Sequence, residues 1–122
     1  MPSNNVIYEK TYMFANDIVK CYKTLTSSMH EYNIANQVER SGTAIGALVR
    51  EAHFAQSKAD FVNKMKIALK EANETQYWLR LLYDNQYISQ AVYTSLFGLA
   101  CEITAILVSI VKSAQEPDNQ AG

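Results

Sequence analysis

Between Asp84 and Lys112 a single charged side chain, Glu102, interrupts a run whose apolar residues fall on two helical faces instead of one. Val92, Leu96, Leu99, Ile103, Ile106 and Ile110 recur at alternating steps of four and three, and Thr94, Phe97, Cys101, Thr104, Val108 and Val111 make a second such row. A helix on the surface of a globular domain buries one apolar face, so a second face needs a second partner. The pattern predicts a helix packed within its own domain on one side and against another subunit on the other. Phe97, Cys101, Thr104, Val108 and Val111 are the expected interface residues.

Length alone would also let Ala91 to Val111 cross a hydrocarbon layer of roughly 30 Å. Glu102 at the centre argues against a span, because a charge there costs about 2.5 to 3.5 kcal/mol on insertion scales. The hydroxyls of Thr94, Ser95, Thr104 and Ser109 argue the same way, and the rest of the chain is amphipathic, which a soluble bundle explains. No membrane partner is expected. The opening MPSNNVIYEK has no basic region followed by an apolar run, so no secretory signal is read. Cys21 and Cys101 are far apart without CxxC or Cys/His spacing and read as reduced packing residues of a cytoplasmic protein.

Three more helices share the same period. The first, over roughly Asn5 to Ser28, aligns Ile7, Thr11, Phe14, Ile18, Cys21 and Leu25. The second, over roughly Asn33 to Phe54, aligns Ala35, Val38, Gly42, Ile45, Val49 and Ala52. The third, over roughly Lys58 to Asp84, aligns Phe61, Met65, Ala68, Ala72, Thr75, Leu79 and Leu82. Both prolines, Pro2 and Pro117, lie near the ends, so nothing breaks the helices from within. A mean step of about 3.5 is the mark of helices crossing at a shallow angle with interdigitating side chains. With short connections this predicts an all-α, antiparallel up-down-up-down four-helix bundle, about 35 to 40 Å long, over residues 1–115. Ser57 and Ser89 are placed to cap the third and fourth helices, and Asn85 to end the third in a left-handed conformation. Residues 116–122 form a polar tail expected to be disordered.

The second helix carries an unusual density of small residues: Ser41, Gly42, Ala44, Gly46 and Ala47 within RSGTAIGALVREA. Glycine inside a helix costs about 1 kcal/mol relative to alanine, so a close helix approach must compensate. That segment, followed by SKADFVNKMKIALKEANETQYWLRLL, resembles the bacterial four-helix-bundle proteins of the 23S rRNA intervening-sequence type. Their pattern is close to RSGTSIGANIxEA, then SKADF, then IAxKEAxET and an aromatic residue before WLxLL. The likeness covers Gln37 to Leu82 strongly and the flanking helices by length and pattern. It implies a cytoplasmic bundle assembling as a ring-like homo-oligomer, usually a pentamer. Some relatives are encoded within ribosomal RNA genes and others are accessory to retroelement reverse transcriptases; several are basic and bind nucleic acid. This chain departs in its net charge of −1, and in Ala44 and Leu48 where the pattern has serine and asparagine.

Chemistry is thinly marked. Di-iron bundles use Glu-x-x-His on facing helices, and neither His30 nor His53 has a glutamate three residues before it, so no metal is expected. No nucleophile triad or phosphate-cradling glycine loop stands out, and no cofactor is called for. One polar set, Arg40, Glu51, Glu71 and Glu74, reads either as a charge-satisfied layer fixing helix register or as an acid/base or ligand-binding group. From Arg40 to Arg80 there are seven basic and four acidic residues, against four and eight elsewhere. Within that span Lys66, Lys70, Asn73, Tyr77 and Arg80 share one helical row. Such a row can grip phosphates and stack a base, or be a solvated face with Lys70 paired to Glu74. The eight tyrosines suit subunit seams, apolar on one side and wet on the other. The residues therefore point to a non-enzymatic assembly or adaptor protein, binding RNA, DNA or a nucleic-acid-handling protein through Lys66, Lys70, Tyr77 and Arg80. The alternative is a small enzyme or ligand-binding bundle built on Arg40, Glu51, Glu71 and Glu74.

Overall fold

A computed structural model of the chain describes residues 2–116, with side chains from residue 6 onward. It contains four helices: α1 (Pro2–Ser27), α2 (Asn33–His53), α3 (Lys58–Asp84) and α4 (Gln90–Gln115). Their ends are set by local chemistry. Ser57 accepts a hydrogen bond from the Asp60 amide at 3.0 Å, and Ser89 one from the Val92 amide at 3.1 Å, so both serines cap as their spacing predicts. The start of α2 is held differently: Glu31 Oε1 accepts from the amides of Ile34 and Ala35 at 2.6 and 3.0 Å, placing an anion where the first turn leaves its N–H groups unpaired. The left-handed residue that ends α3 is Gln86, with φ 66°, not Asn85, whose φ is −98°. The Tyr87 amide then reaches the Leu82 carbonyl and the Gln86 amide that of Tyr83, the paired bonds of a Schellman ending. Asn85 instead donates its side-chain amide to the Leu81 carbonyl at 2.9 Å. Of the expected polar tail only Glu116 is described, and it is exposed; residues 117–122 lie outside the described residues.

The core follows the heptad rows on three helices. Every residue of the α1 and α2 rows is buried, and on α3 only Phe61 is half-exposed. On α4 the buried seam is Leu96, Ala100, Ile103, Leu107 and Ile110, joined by Val111. The expected row passed through Leu99 and Ile106, which are only half-buried, and through Val92, which is 40% exposed. The seam keeps its four-three step but turns by one residue, because α4 is apolar all round and packing, not polarity, chooses the inward face. Val111 thereby leaves the expected outer row and enters the core at 8% exposure.

Side-chain contacts cross each seam of the bundle. Tyr8 meets the His53 ring and Tyr22 the Asn36 side chain across α1 and α2. Arg40 reaches Glu71 and Glu74 across α2 and α3, and Tyr83 stacks on Tyr93 at 4.5 Å across α3 and α4. Lys10 pairs with Glu102 across α1 and α4. Two hydroxyl contacts pin the register inside the bundle: Thr75 Oγ1 lies 2.8 Å from Ser41 Oγ, and Gln76 Nε2 donates to Thr104 Oγ1 at 2.8 Å. The α1–α2 approach leaves little room for side chains at two positions of α2. A Cβ on Gly42 would sit 2.9 Å from Ile18 Cγ1 and 3.0 Å from Cγ2, and one on Gly46 would sit 3.4 Å from the Thr11 carbonyl oxygen.

Those contacts give two predictions. Gly42→Ala gains helix propensity but drives a methyl into the branch point of Ile18, so chemical denaturation should show a net loss of about 1 to 2 kcal/mol; equal or greater stability would mean the helices can part at no cost. Burial pushes the Cys21 thiol up from 9.0 to about 11. Its folded value lies above its unfolded one, so its contribution to stability is complete below the unfolded value and is lost as pH rises through the folded one. The denaturation midpoint should therefore fall between pH 9 and 11, and fall less steeply in Cys21→Ala. Parallel slopes would remove this thiol from the alkaline transition.

Candidate functional surfaces

The outward row of α3 is present as a surface. Lys66, Lys70, Asn73, Tyr77 and Arg80 are all exposed, Tyr77 at 61%. Arg80 Nε lies 3.6 Å from Asp84 Oδ2, one turn on. Lys66 and Lys70 make no ion pair among the described residues. The expected Lys70–Glu74 pair is absent because Glu74 is taken from the other side. Arg40 of α2 pairs with its Oε2, and Trp78 Nε1 donates to the same oxygen at 3.0 Å. Tyr77 then packs edge-on against Trp78, the centroids 4.9 Å apart, leaving its outer ring face open.

Arg40, Glu71 and Glu74 come together, and Glu51 does not join them. Arg40 Nη1 lies 3.5 Å from Glu71 Oε1, and the side chains are 53%, 15% and 30% exposed in that order. Glu51 is eleven positions along α2 from Arg40, a rise of about 16 Å, and is exposed with no ion pair among the described residues. The set is a three-residue clamp over the α2–α3 seam, directly above the buried Ser41–Thr75 contact. Among the described residues no group of three or more His, Cys, Asp or Glu side chains is placed to hold a metal ion.

On α4 the expected interface row divides. Cys101 and Val108 face outward. Phe97 is half-buried and leans on Tyr93 at 5.0 Å, and Thr104 is held by Gln76. With Val111 in the core, the outward strip is made instead by Gly98, Cys101, Ala105 and Val108, all exposed. An 18-residue window of α4 has mean hydropathy 2.0, enough by length and composition to cross a membrane, and only 33% of it is buried.

A groove of about 630 Å³ between α1 and α2 had no counterpart in the sequence reading. Its floor is small, with Ala15, Thr43, Gly46 and Ala47, and its walls carry Tyr8, Tyr12, Arg50, His53 and Phe54. Tyr12 and Phe54 are 72% and 69% exposed, the largest values among the big apolar side chains. Arg50 sits over the Phe54 ring at 5.8 Å. The Tyr8 hydroxyl is shielded without a hydrogen-bond partner among the described residues, and desolvation raises its pKa above the ordinary value against the opposing pull of Arg50. The signal that could have located the groove was the small-residue run of α2 facing an alanine on α1.

Comparison with known proteins bears on these surfaces. The model of the 23S rRNA-intervening sequence protein family matches residues 3–109. A solved structure from Bacteroides thetaiotaomicron, a protein with unknown function from the S23 ribosomal protein family, is 49% identical with a TM-score of 0.88. The match covers 90% of this chain and 98% of that one. No curated protein matches the chain. The resemblance carried by RSGTAIGALVREA and SKADF thus extends through all four helices, and the chain belongs to the 23S rRNA-intervening sequence protein family.

Proposed function

We propose that this protein is a non-enzymatic, cytoplasmic assembly or adaptor protein: an antiparallel up-down-up-down bundle that associates into a ring-like homo-oligomer and presents α3 to nucleic acid or to a nucleic-acid-handling partner. The observation that carries the reading is the mismatch on α4, where only 33% of the window of the most apolar helix is buried and Gly98, Cys101, Ala105 and Val108 stand exposed along one face. A helix with so few charges and an outward row of apolar residues is usually covered by a second subunit. The opposed ends joined by Tyr8–His53, Arg40–Glu74, Tyr83–Tyr93 and Lys10–Glu102 support the antiparallel order. Cys101 and Val108 remain the interface residues, with Phe97 and Thr104 at its edge; Val111 is withdrawn because it packs inward.

The uncompensated Lys66 and Lys70 beside the open face of Tyr77 support the nucleic-acid part. Two lysines and an arginine per chain make a weak patch, and repetition around an assembly multiplies it. The clamp of Arg40 on Glu71 and Glu74 supports a structural role over catalysis, since each carboxylate already holds a partner.

Two measurements test this. Light scattering should give the native protein a mass several times 13.8 kDa, and Val108→Glu should lower it sharply; a native single-chain mass would sink the assembly reading. Lys66→Glu with Lys70→Glu should abolish salt-sensitive retention on an RNA column while leaving the assembly mass unchanged, and retention equal to that of the native protein would exclude this row as the contact.

A further inference from the structure

Tyr77 is the one aromatic side chain in the outward row of α3, and its ring is held from below. It is 61% exposed and meets the Trp78 ring edge-on, the planes at 74° and the centroids 4.9 Å apart. Trp78, the single tryptophan of the chain, is half-buried and donates from Nε1 to Glu74 Oε2 at 3.0 Å. Arg40 of α2 pairs with the same oxygen. The exposed ring is thus tied through Trp78 and Glu74 to a neighbouring helix, so little side-chain freedom is left to lose when a flat group lands on it. Among the described residues no guanidinium and no further ring covers Tyr77.

We propose that Tyr77 stacks against the face of an unpaired base, which makes single-stranded nucleic acid the ligand of α3; this rests on the nucleic-acid reading above and names its ligand class. Charge is the first support. Lys66 and Lys70 are exposed without ion pairs among the described residues, as is Lys58, which joins Asn63 and Lys66 around a shallow trough at the foot of the helix. The row from Lys66 onward meets no carboxylate until Asp84, which Arg80 engages at 3.6 Å. Phosphates can follow the lysines, and that part of binding weakens as salt rises because counterions are released. Spacing is the second support. Lys70 and Tyr77 lie two turns apart on one face, a rise of about 10 Å, so one strand can lay its backbone on the lysines and turn a base onto the ring. Asn73, exposed one turn before Tyr77, adds a hydrogen-bond donor and an acceptor beside that base.

Strandedness follows from geometry. The base faces of a duplex are stacked on one another, and even a groove that admits a helix presents base edges to it. An unpaired base offers its face without unstacking, and it stacks on an aromatic ring whatever its identity. The selection expected is therefore for single strands over duplex, with little regard to sequence.

The test measures binding of the full chain, by fluorescence anisotropy, to a short single-stranded RNA, to its duplex, and to an abasic sugar-phosphate strand of the same length and charge. The native protein should hold the intact strand about tenfold more tightly than the abasic one, the effect of one stacked base. Tyr77→Leu keeps an apolar group on Trp78 and removes the aromatic face. It should lose that tenfold, leave the abasic and duplex affinities as they were, and keep the native dependence on salt; Tyr77→Phe should restore the preference. Tyr77→Gln replaces the leucine variant if circular dichroism shows lost helicity. Lys66→Glu with Lys70→Glu should instead weaken binding to all three probes and flatten the salt dependence. A native protein that binds the abasic strand as tightly as the intact one overturns base stacking and leaves the basic row as the contact. A Tyr77→Leu variant that keeps the preference, or that loses duplex binding to the same degree, overturns Tyr77 as the platform for an unpaired base. A native protein that binds none of the three overturns this inference and the nucleic-acid reading together.

Discussion

The tightest steric constraint shown in the bundle is the approach of α1 to α2 at two glycines. Gly42 accepts both branches of Ile18, and Gly46 accepts the α1 backbone at Thr11, so over this stretch the two helices touch with no side chain of α2 between them. Two glycines in the middle of a helix weaken it by about 1 kcal/mol each relative to alanine. The burial they allow must exceed that cost, and it does so with large side chains: Ile7, Phe14, Ile18 and Ile45 are fully removed from solvent around the contact. Ser41, next to Gly42, turns toward α3 and meets Thr75, while Arg40 reaches over the same seam to Glu71 and Glu74. One short run of α2 therefore sets its distance to α1 on one side and its register against α3 on the other.

The same run explains the shape of the outer surface. Small residues that let helices approach on the inside leave a shallow trough where they face out, and Thr43, Gly46 and Ala47 form the floor of the groove walled by Tyr12 and Phe54. A bulkier α2 would fill it. The core contact and the groove are thus two faces of one sequence decision, which ties any change that relaxes the packing at Gly46 to a change in the groove above it.

Legibility in the sequence tracks contrast. Helices α1, α2 and α3 each have polar residues between their apolar rows, so the rows of Ile7 to Leu25, Ala35 to Ala52 and Met65 to Leu82 could be read directly and are buried. Helix α4 has almost none, so a row through Leu99 and Ile106 looked as good as the one through Ala100 and Leu107 that packing selects. The Arg40, Glu71 and Glu74 clamp was readable because two glutamates one turn apart face an arginine on the neighbouring helix. Glu51 was included on charge alone, three turns from Arg40, where nothing on α3 meets it. The groove was hidden because Tyr8 and Tyr12, four residues apart, look like ordinary seam tyrosines until Gly46 and Ala47 of α2 are seen to line the space between the helices. The end of α3 was misplaced by one residue because Asn85, the better left-handed residue by type, uses its side chain on Leu81 and leaves Gln86 to turn.

The charge of this chain also reads differently once partners are assigned. A net charge of −1 suggests indifference to polyanions, and the excess of basic residues between Arg40 and Arg80 suggests a modest attraction. The contacts sharpen the second. Both glutamates of the span that face α2 are held by Arg40, and its one aspartate is taken by Lys64. No carboxylate of the described residues neutralises Lys66 or Lys70, so the outward face of α3 is more positive than the count implies. Potential at a surface follows the arrangement of charge and not its sum, and identical faces repeated in an assembly add where a single face is too weak to hold a strand. For this chain the outward row of α3 is therefore to be weighed by where Arg40, Lys64 and their carboxylates sit, and not by the net charge of −1.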